Sequence, residues 1–362
     1  KFNEALNENP GEHFTPRDVV TLMAMLLLAT DIDILRQQHI VRTVYDCCCG
    51  SGGMLTLTKE RILAINPQAD VHLFGQEVNP ETWAICRSDM LMISPEGRDA
   101  ENIAFGSTLS NDQHARRRFH YMLTNAPYGK EWKRDQKAVE DEAARGYAGR
   151  FGAGTPRISD GQMLFMQHLL GRMHPLEEGG SRVAVIMNGS PLFTGDAGSG
   201  ESEIRRWVLE NDWLEAIIAL PEQLFYNTGI ATYVWILSNR KPAARRGQVQ
   251  LIDASGLWVP MRKSLGDKRR EVSPQHAGQI VALYLGFEEG EHSKIFPSTA
   301  FGYRKITVER PLRLNFQASA QRIARLAEQS AFASLAASKK LDPQAKALEE
   351  AQGRQAQEEI VA

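Results

Sequence analysis

The sequence predicts an α/β protein built on a doubly wound, mostly parallel sheet with helical N- and C-terminal flanks. From about Thr43 to Ser238, short β-branched or aliphatic runs alternate with longer helical patterns, the rhythm of strand–helix–strand units. Several runs, such as 183–187 and 216–220, are apolar almost throughout, as strands covered on both faces are. A glycine-rich turn closes the first run and opens a helical pattern, as at the leading edge of a nucleotide-type fold.

Taken in order, the predicted strands are 43–46, 71–76, 102–105, 121–124, 182–187, 214–220 and 231–237. Helical stretches at 55–64, 81–92, 162–174 and 201–210 separate several of them. Ahead of the sheet, residues 16–28 read as an amphipathic helix entered through Thr15, a suitable N-cap, with Pro16 at the first helical position. Residues 130–157 are charged, Gly-punctuated and without apolar periodicity. So long an irregular segment inside a compact domain is more often functional or mobile than structural. After Asn239 positive charge gathers, at Arg240, Lys241, Arg245 and Arg246 and again at Arg262, Lys263, Lys268, Arg269 and Arg270. A solvated loop explains the second cluster at least as well as phosphate contact does. From Asn315 onward Ala, Gln, Glu and Lys dominate, as in a helical tail, with Ile323, Leu326, Phe332 and Leu335 as its apolar face. The organisation expected is a helical opening segment over 1–40, an α/β domain over 41–315 and a helical tail over 316–362 that could dock back on the domain or on a partner helix.

With 362 residues and 43% hydrophobic residues the chain can bury a sizeable core. Lys and Arg number 42 against 44 Asp and Glu, a net charge of −2. A protein that holds nucleic acid mainly by itself is usually basic, at least on one face. The longest apolar run, 22–29, falls short of the roughly 18 residues of a membrane span, and no secretory signal pattern is present. Cys47, Cys48 and Cys49 are adjacent and cannot form a disulfide framework. They also lack the spacing that brings two thiolates to one zinc, so no metal site is expected and they read as small buried thiols. A reduced, soluble, cytoplasmic protein is expected.

Two motifs carry chemistry. Asp46-Cys47-Cys48-Cys49-Gly50-Ser51-Gly52-Gly53 joins strand to helix, where glycines allow a tight turn and close backbone approach to a ligand. Glu77 closes the next strand, the place from which a carboxylate accepts ribose hydroxyls. The dinucleotide fingerprint is incomplete, because Leu55 stands where its third glycine belongs. A nucleoside ligand without phosphates fits better, and S-adenosylmethionine is the candidate. The second motif, Asn125-Ala126-Pro127-Tyr128-Gly129, ends the strand at 121–124. There the Asn125 side-chain oxygen and the Ala126 carbonyl are placed to accept both protons of an exocyclic amine, with Tyr128 stacking on a base flipped from the duplex. Such an amine is a poor nucleophile. Accepting its protons returns electron density to nitrogen and steadies the charge that develops during methyl transfer.

In combination these motifs resemble the amino-methyltransferases that form the modification subunit of type I restriction–modification systems. Gly11-Glu12-His13-Phe14-Thr15-Pro16-Arg17 is similar to their opening segment, and 46–53 to their cofactor turn, with Cys47 and Cys48 replacing Pro and Ala. Phe74-Gly75-Gln76-Glu77 matches their ribose-binding strand end, and 125–128 their Asn-Pro-Pro-Phe/Tyr signature. Ser159-Asp160-Gly161-Gln162, and Leu220-Pro221 followed by Phe225, continue the likeness across roughly Gly11 to Ser238. The resemblance implies a Rossmann-like methyltransferase sheet and adenine N6 methylation of DNA with S-adenosylmethionine as donor. It implies cofactor contacts from Glu12, His13, Phe14, Thr15, Pro16, Arg17, Asp46, Gly50, Ser51, Gly52, Gly53, Glu77 and Ser107, and catalysis by Asn125, Ala126, Pro127 and Tyr128. Ala126 stands in place of the first Pro, and Ser107 where many relatives carry Asp or Asn. The partners implied are double-stranded DNA and a DNA-specificity subunit; a restriction (nuclease/translocase) subunit is a further one that the sequence leaves open. Two rival readings stay open from sequence: a methyltransferase of protein glutamine or RNA, and a non-catalytic scaffold with the same fold.

Overall fold

The computed structural model describes residues 14–94, 97–226, 228–310 and 317–362. The chain divides into two compact units, 1–305 and 306–362. The first is organised on a nine-stranded sheet among the described residues. Its strands are β1 (Val41–Asp46), β2 (Asp70–Glu77), β3 (Ile103–Phe105), β4 (Tyr121–Asn125), β5 (Arg182–Asn188), β6 (Leu214–Ala219), β7 (Thr232–Ser238), β8 (Gln248–Asp253) and β11 (Ser293–Pro297). A separate hairpin pairs β9 (Val259–Leu265) with β10 (Lys268–Glu271). The sheet runs β11-β8-β6-β7-β5-β4-β1-β2-β3. Only β7 and β11 run against their neighbours. All seven predicted strands are present; β8 to β11 lie beyond Asn239, where the sequence predicts no strand.

The longer helices among the described residues are α1 (Arg17–Leu28), α2 (Gly53–Ile65), α3 (Pro80–Ile93), α4 (Gln136–Ala143), α5 (Gln162–Leu170), α6 (Gly200–Glu210), α7 (Pro274–Gly286) and, in the second unit, α8 (Pro343–Val361). Strand residues alternate between two cores. In β5, Ala184 and Ile186 join the cluster that holds α1, α2 and α7, while Val183, Val185 and Met187 join the one that holds α5 and α6. This two-sided burial explains why the strands read as continuous apolar runs. Among the described residues, no helix is long and apolar enough to cross a membrane.

Three local expectations need correction. Thr15 does not cap α1: Pro16 occupies the N-cap with no side-chain hydrogen bond, because the Thr15 hydroxyl is taken by a distant partner described below. The helix expected over 162–174 stops at Leu170, just before Gly171. Residues 130–157 are not structureless. They contain α4, and Trp132, Val139 and Phe151 form a small core with Leu109 and Leu164. Arg150 locks that segment down. Its guanidinium bonds Glu142, the Thr108 and Leu109 carbonyls and His168 Nδ1. Since Arg only donates, His168 Nδ1 accepts and its Nε2–H faces the Tyr45 hydroxyl at 2.9 Å.

In the second unit, short helices at Ala320–Ala324 and Ser330–Leu335 precede α8, which Asp342 caps by accepting the Ala345 N–H at 2.8 Å. Gly353 lets α8 pass close to the Leu335 carbonyl, where a Cβ would collide. Asn315, the expected start of the tail, lies outside the described residues.

Candidate active site at the carboxyl edge of the sheet

From β1 the chain builds outward through β2 and β3, then crosses back to place β4 on the other side of β1. The crevice at such a reversal, outside the carboxyl ends of the strands, is where open α/β sheets bind ligands. Both motifs lie there.

The glycine turn is held from behind and open in front. Gly50 and Gly52 have φ of +53° and +82°, values that favour glycine. A Cβ on Gly52 would come within 2.6 Å of Met90 Cε and 2.9 Å of Cys86 Sγ, so this face of the turn packs on α3. A Cβ on Gly50 or Gly53 would meet nothing within 4 Å. Glu77 secures the turn from the next strand: one oxygen accepts the Gly50 N–H at 2.9 Å, the other the Val78 and Asn79 N–H groups at 2.8 Å each. The carboxylate is thereby fixed at the strand end with acceptor capacity to spare.

Asp46 ties β1 to β4. Its Oδ1 accepts the Cys48 N–H at 3.0 Å and the Thr124 hydroxyl at 2.7 Å. Burial pushes its carboxyl up to about 7; those two hydrogen bonds oppose the rise and the Glu77 charge adds to it. The folded chain thus retains a proton that the unfolded chain releases between pH 3.8 and about 7. Stability therefore falls as pH rises through that window, by on the order of 4 kcal/mol at most. Asp46→Asn mimics the neutral acid, so in urea titrations it should exceed the wild type in stability above the window and match it below. A wild-type profile parallel to that of the variant would refute this.

The cysteines are free, and Cys47, Cys49 and Cys86 are buried. Burial raises the Cys48 thiol, and a hydrogen bond to Cys86 together with burial raises Cys49. Both stay protonated and unreactive.

Ser107 lies in the loop after β3, its hydroxyl accepting the Leu109 N–H of its own turn at 3.3 Å. Gln76, fully buried, spans that loop, donating to the carbonyls of Gly106 and Asn111 and accepting from Gln113 N–H.

Asn125 ends β4. Its Nδ2 donates to Thr15 Oγ1 at 3.0 Å, whereas its buried Oδ1 has no partner among the described residues. Ala126 is buried, Pro127 half-buried, and Tyr128 only 9% exposed, in an apolar cluster with Leu220, Leu224 and Phe225. Burial pushes the Tyr128 hydroxyl up to about 12, so it remains neutral. Behind the loop, Asp160 accepts the Gly129 N–H at 3.3 Å. Gln162 bonds Asp160 at 2.7 Å and Asn188, at the end of β5, at 2.9 Å.

The structure thus gathers Thr15, Asp46, 50–53, Glu77, Ser107 and 125–128 on one edge. Phe14 is half-buried, Pro16 buried and Arg17 exposed; Glu12 and His13 lie outside the described residues. The clamp formed by Asp160, Gln162 and Asn188 was not assigned from sequence. Its one signal was the Ser-Asp-Gly-Gln string, which named no partner.

A doubly wound sheet with an open glycine turn and an acidic strand end defines a class of nucleoside-cofactor proteins that includes the methyltransferases. Within it, this chain belongs to the N-6 DNA methylase family, whose model matches residues 1–300. It is 25% identical over 296 residues to the type I restriction enzyme MjaIX methylase subunit of Methanocaldococcus jannaschii, covering 80% of this chain and 48% of that protein. Against the HindI methylase subunit of Haemophilus influenzae the identity is 28% over 270 residues, 74% of this chain and 54% of the other. The crystal structure of the type I restriction–modification methyltransferase subunit from Streptococcus thermophilus superposes with a TM-score of 0.64 at 26% identity, covering 79% of this chain and 56% of that one. The chain spans about half the length of the relatives it matches.

Proposed function

We propose that the chain transfers a methyl group from S-adenosylmethionine to the N6 amine of adenine in DNA. It does so in the cytoplasm as the modification subunit of a type I complex, with a specificity subunit reading the sequence and a restriction subunit as a further partner. The observation that carries this reading is the Asn125 amide: Nδ2 is committed to Thr15, and a buried acceptor is left at the strand end. A buried polar atom without a partner costs about 1–3 kcal/mol. A donor arriving from a substrate relieves that cost.

The residues present fit the cofactor. Gly50 and Gly53 leave open space that a Cβ would enter, and Glu77 is a fixed acceptor for ribose hydroxyls. Gly50, Ser51, Gly52 and Gly53 would hold it together with Glu77, Ser107 and 12–17. When bound, it supplies an electrophilic methyl group on sulfonium. Asn125 Oδ1 and the Ala126 carbonyl accept the amine protons, which localises the nitrogen lone pair toward that methyl. Nitrogen would gain the methyl as the methyl–sulfur bond breaks with its electron pair left on sulfur, the surplus N–H proton would leave to solvent, and no covalent bond to the enzyme is required.

Calorimetric titration with S-adenosylmethionine, followed by nucleoside analysis of DNA methylated by the assembled complex, tests the reading. Binding should weaken by about 2 kcal/mol in Glu77→Ala, and the product should be N6-methyladenine. Label appearing on protein or RNA instead, or no transfer by the complex, would reject it.

A further inference from the structure

Among the described residues the β9–β10 hairpin pairs apart from the main sheet, and it lies at the edge that carries Asn125. β6 runs parallel to β4 and β5, since both β5 and β6 are antiparallel to β7. The loop that follows β6 therefore emerges on the same edge as Asn125. The hairpin grips that loop: Asp267 N–H donates to the Tyr226 carbonyl at 2.8 Å, and Arg269 N–H to the Gln223 carbonyl at 3.0 Å. Its turn residue Gly266 has φ +59°, and a Cβ there would collide with the Tyr226 carbonyl oxygen. Phe225, in the same loop, shares its apolar cluster with Tyr128. A second anchor runs to α1. Lys268, buried, holds the Asp18 carboxylate at 3.0 Å, and Val272 N–H donates to the same group at 2.9 Å. Asp18 lies one turn past Thr15, the residue that orients Asn125.

The cations of this segment divide into two kinds. Lys268 is spent on Asp18, and Arg270 lies over the Trp258 ring at 4.0 Å. Arg262, Lys263 and Arg269 are exposed and have no ion-pair partner among the described residues. On a chain of net charge −2, these three unpaired cations together with Arg270 outnumber the ribbon's two carboxylates, Asp267 and Glu271, at the same sheet edge as Asn125. No large apolar side chain of 259–271 is among the exposed ones, so the ribbon lacks the apolar centre of a protein–protein contact.

We propose that the β9–β10 ribbon holds the phosphate backbone of double-stranded DNA through Arg262, Lys263 and Arg269. The proposal rests on the reading of DNA as substrate. A base extruded from the duplex needs its flanking backbone held against the mouth of the pocket. Phosphate contacts set that register and carry no sequence information, which suits a chain whose sequence reading is delegated to a partner.

The test compares the wild-type chain with Arg262→Gln/Lys263→Gln/Arg269→Gln for binding a labelled short duplex across a salt series, alongside S-adenosylmethionine affinity. Each phosphate contact contributes about 0.9 to the slope of log affinity against log salt. The triple variant should lose two to three from that slope, in round numbers, and bind DNA about tenfold more weakly at low salt. Its cofactor affinity should match the wild type, which shows the fold intact. Glu271→Lys, which adds a cation to the same ribbon, should steepen the slope by about one. If duplex binding keeps its slope in both variants, the ribbon is not a DNA contact although the substrate reading stands. If the variants instead weaken only assembly with the specificity subunit, the ribbon faces protein and the proposal is overturned. A wild-type chain that neither binds duplex nor methylates it in the complex removes both the proposal and the reading beneath it.

Discussion

Replacing Asn125 by Ala is expected to lower the rate of methyl transfer by about 100- to 1,000-fold while reducing S-adenosylmethionine affinity far less, through its hold on Thr15 alone. The separation follows from where its atoms point. Nδ2 meets Thr15 at 3.0 Å and Oδ1 has no described partner, whereas the turn that would hold the cofactor is braced by Glu77 and α3, not by Asn125. In the proposed role Asn125 acts on the amine, through an interaction that strengthens as positive charge develops on nitrogen. Removing it should appear in kcat more than in ground-state binding. Single-turnover transfer and calorimetry on one preparation decide the matter. A variant that loses cofactor affinity as steeply as it loses rate would show that Asn125 belongs to the cofactor site instead.

The parts of this site legible in sequence are those whose chemistry is local. The glycine turn, Glu77 and the Asn-Ala-Pro-Tyr segment each sit at the end of a strand that periodicity alone reveals, and a parallel sheet brings such ends to one edge. What periodicity cannot show is which distant group a side chain meets. Thr15 read as a helix cap because Thr-Pro before an amphipathic run is a local capping pattern; its hydroxyl is instead held by Asn125, 110 residues away. Lys241, Arg245 and Lys268 read only as members of a gathering of positive charge. All three are buried: Lys241 on Asp212 and the Gln248 carbonyl, Arg245 on Gln250 and the Tyr284 carbonyl, Lys268 on Asp18. The same stretch carries β8 and α7, whose apolar faces are short. In 130–157 the apolar residues that matter, Trp132, Val139 and Phe151, are too few and too unevenly spaced to show a period. Their core is completed by Leu109 and Leu164 from outside the segment.

The largest expected effect on stability concerns Arg182, the largest fully buried side chain among the described residues. Its guanidinium meets both oxygens of Glu215 on β6 at 3.2 and 3.1 Å, the Tyr284 hydroxyl of α7 at 2.7 Å and the Leu27 carbonyl at the end of α1 at 2.7 Å. Strand β6 and the helices α1 and α7 are therefore joined to β5 through one cation. Arg182→Met leaves the Glu215 carboxylate buried without its counter-charge and should destabilise the protein by about 3–5 kcal/mol. Arg182→Met/Glu215→Leu should recover most of that loss, because a buried pair repays little beyond its own desolvation. Acid dependence separates the two effects. Burial alone would raise the Glu215 carboxyl, but the Arg182 charge and the hydrogen bonds from Tyr284 and Arg182 outweigh it and hold the group below its ordinary 4.5. A depressed folded value stabilises above the unfolded one, and that contribution is lost as pH falls below 4.5 through the folded value. Urea titrations of the wild type should show this acid loss, and the double variant should lack it. A double variant as unstable as the single one would mean that the pair contributes through packing that Met and Leu fail to replace. The consequence reaches the site, since Arg182 fastens one end of α1 while Thr15, leading into the other, orients Asn125. Restoring stability with the apolar pair should therefore restore methyl transfer only if α1 regains its seat on the sheet.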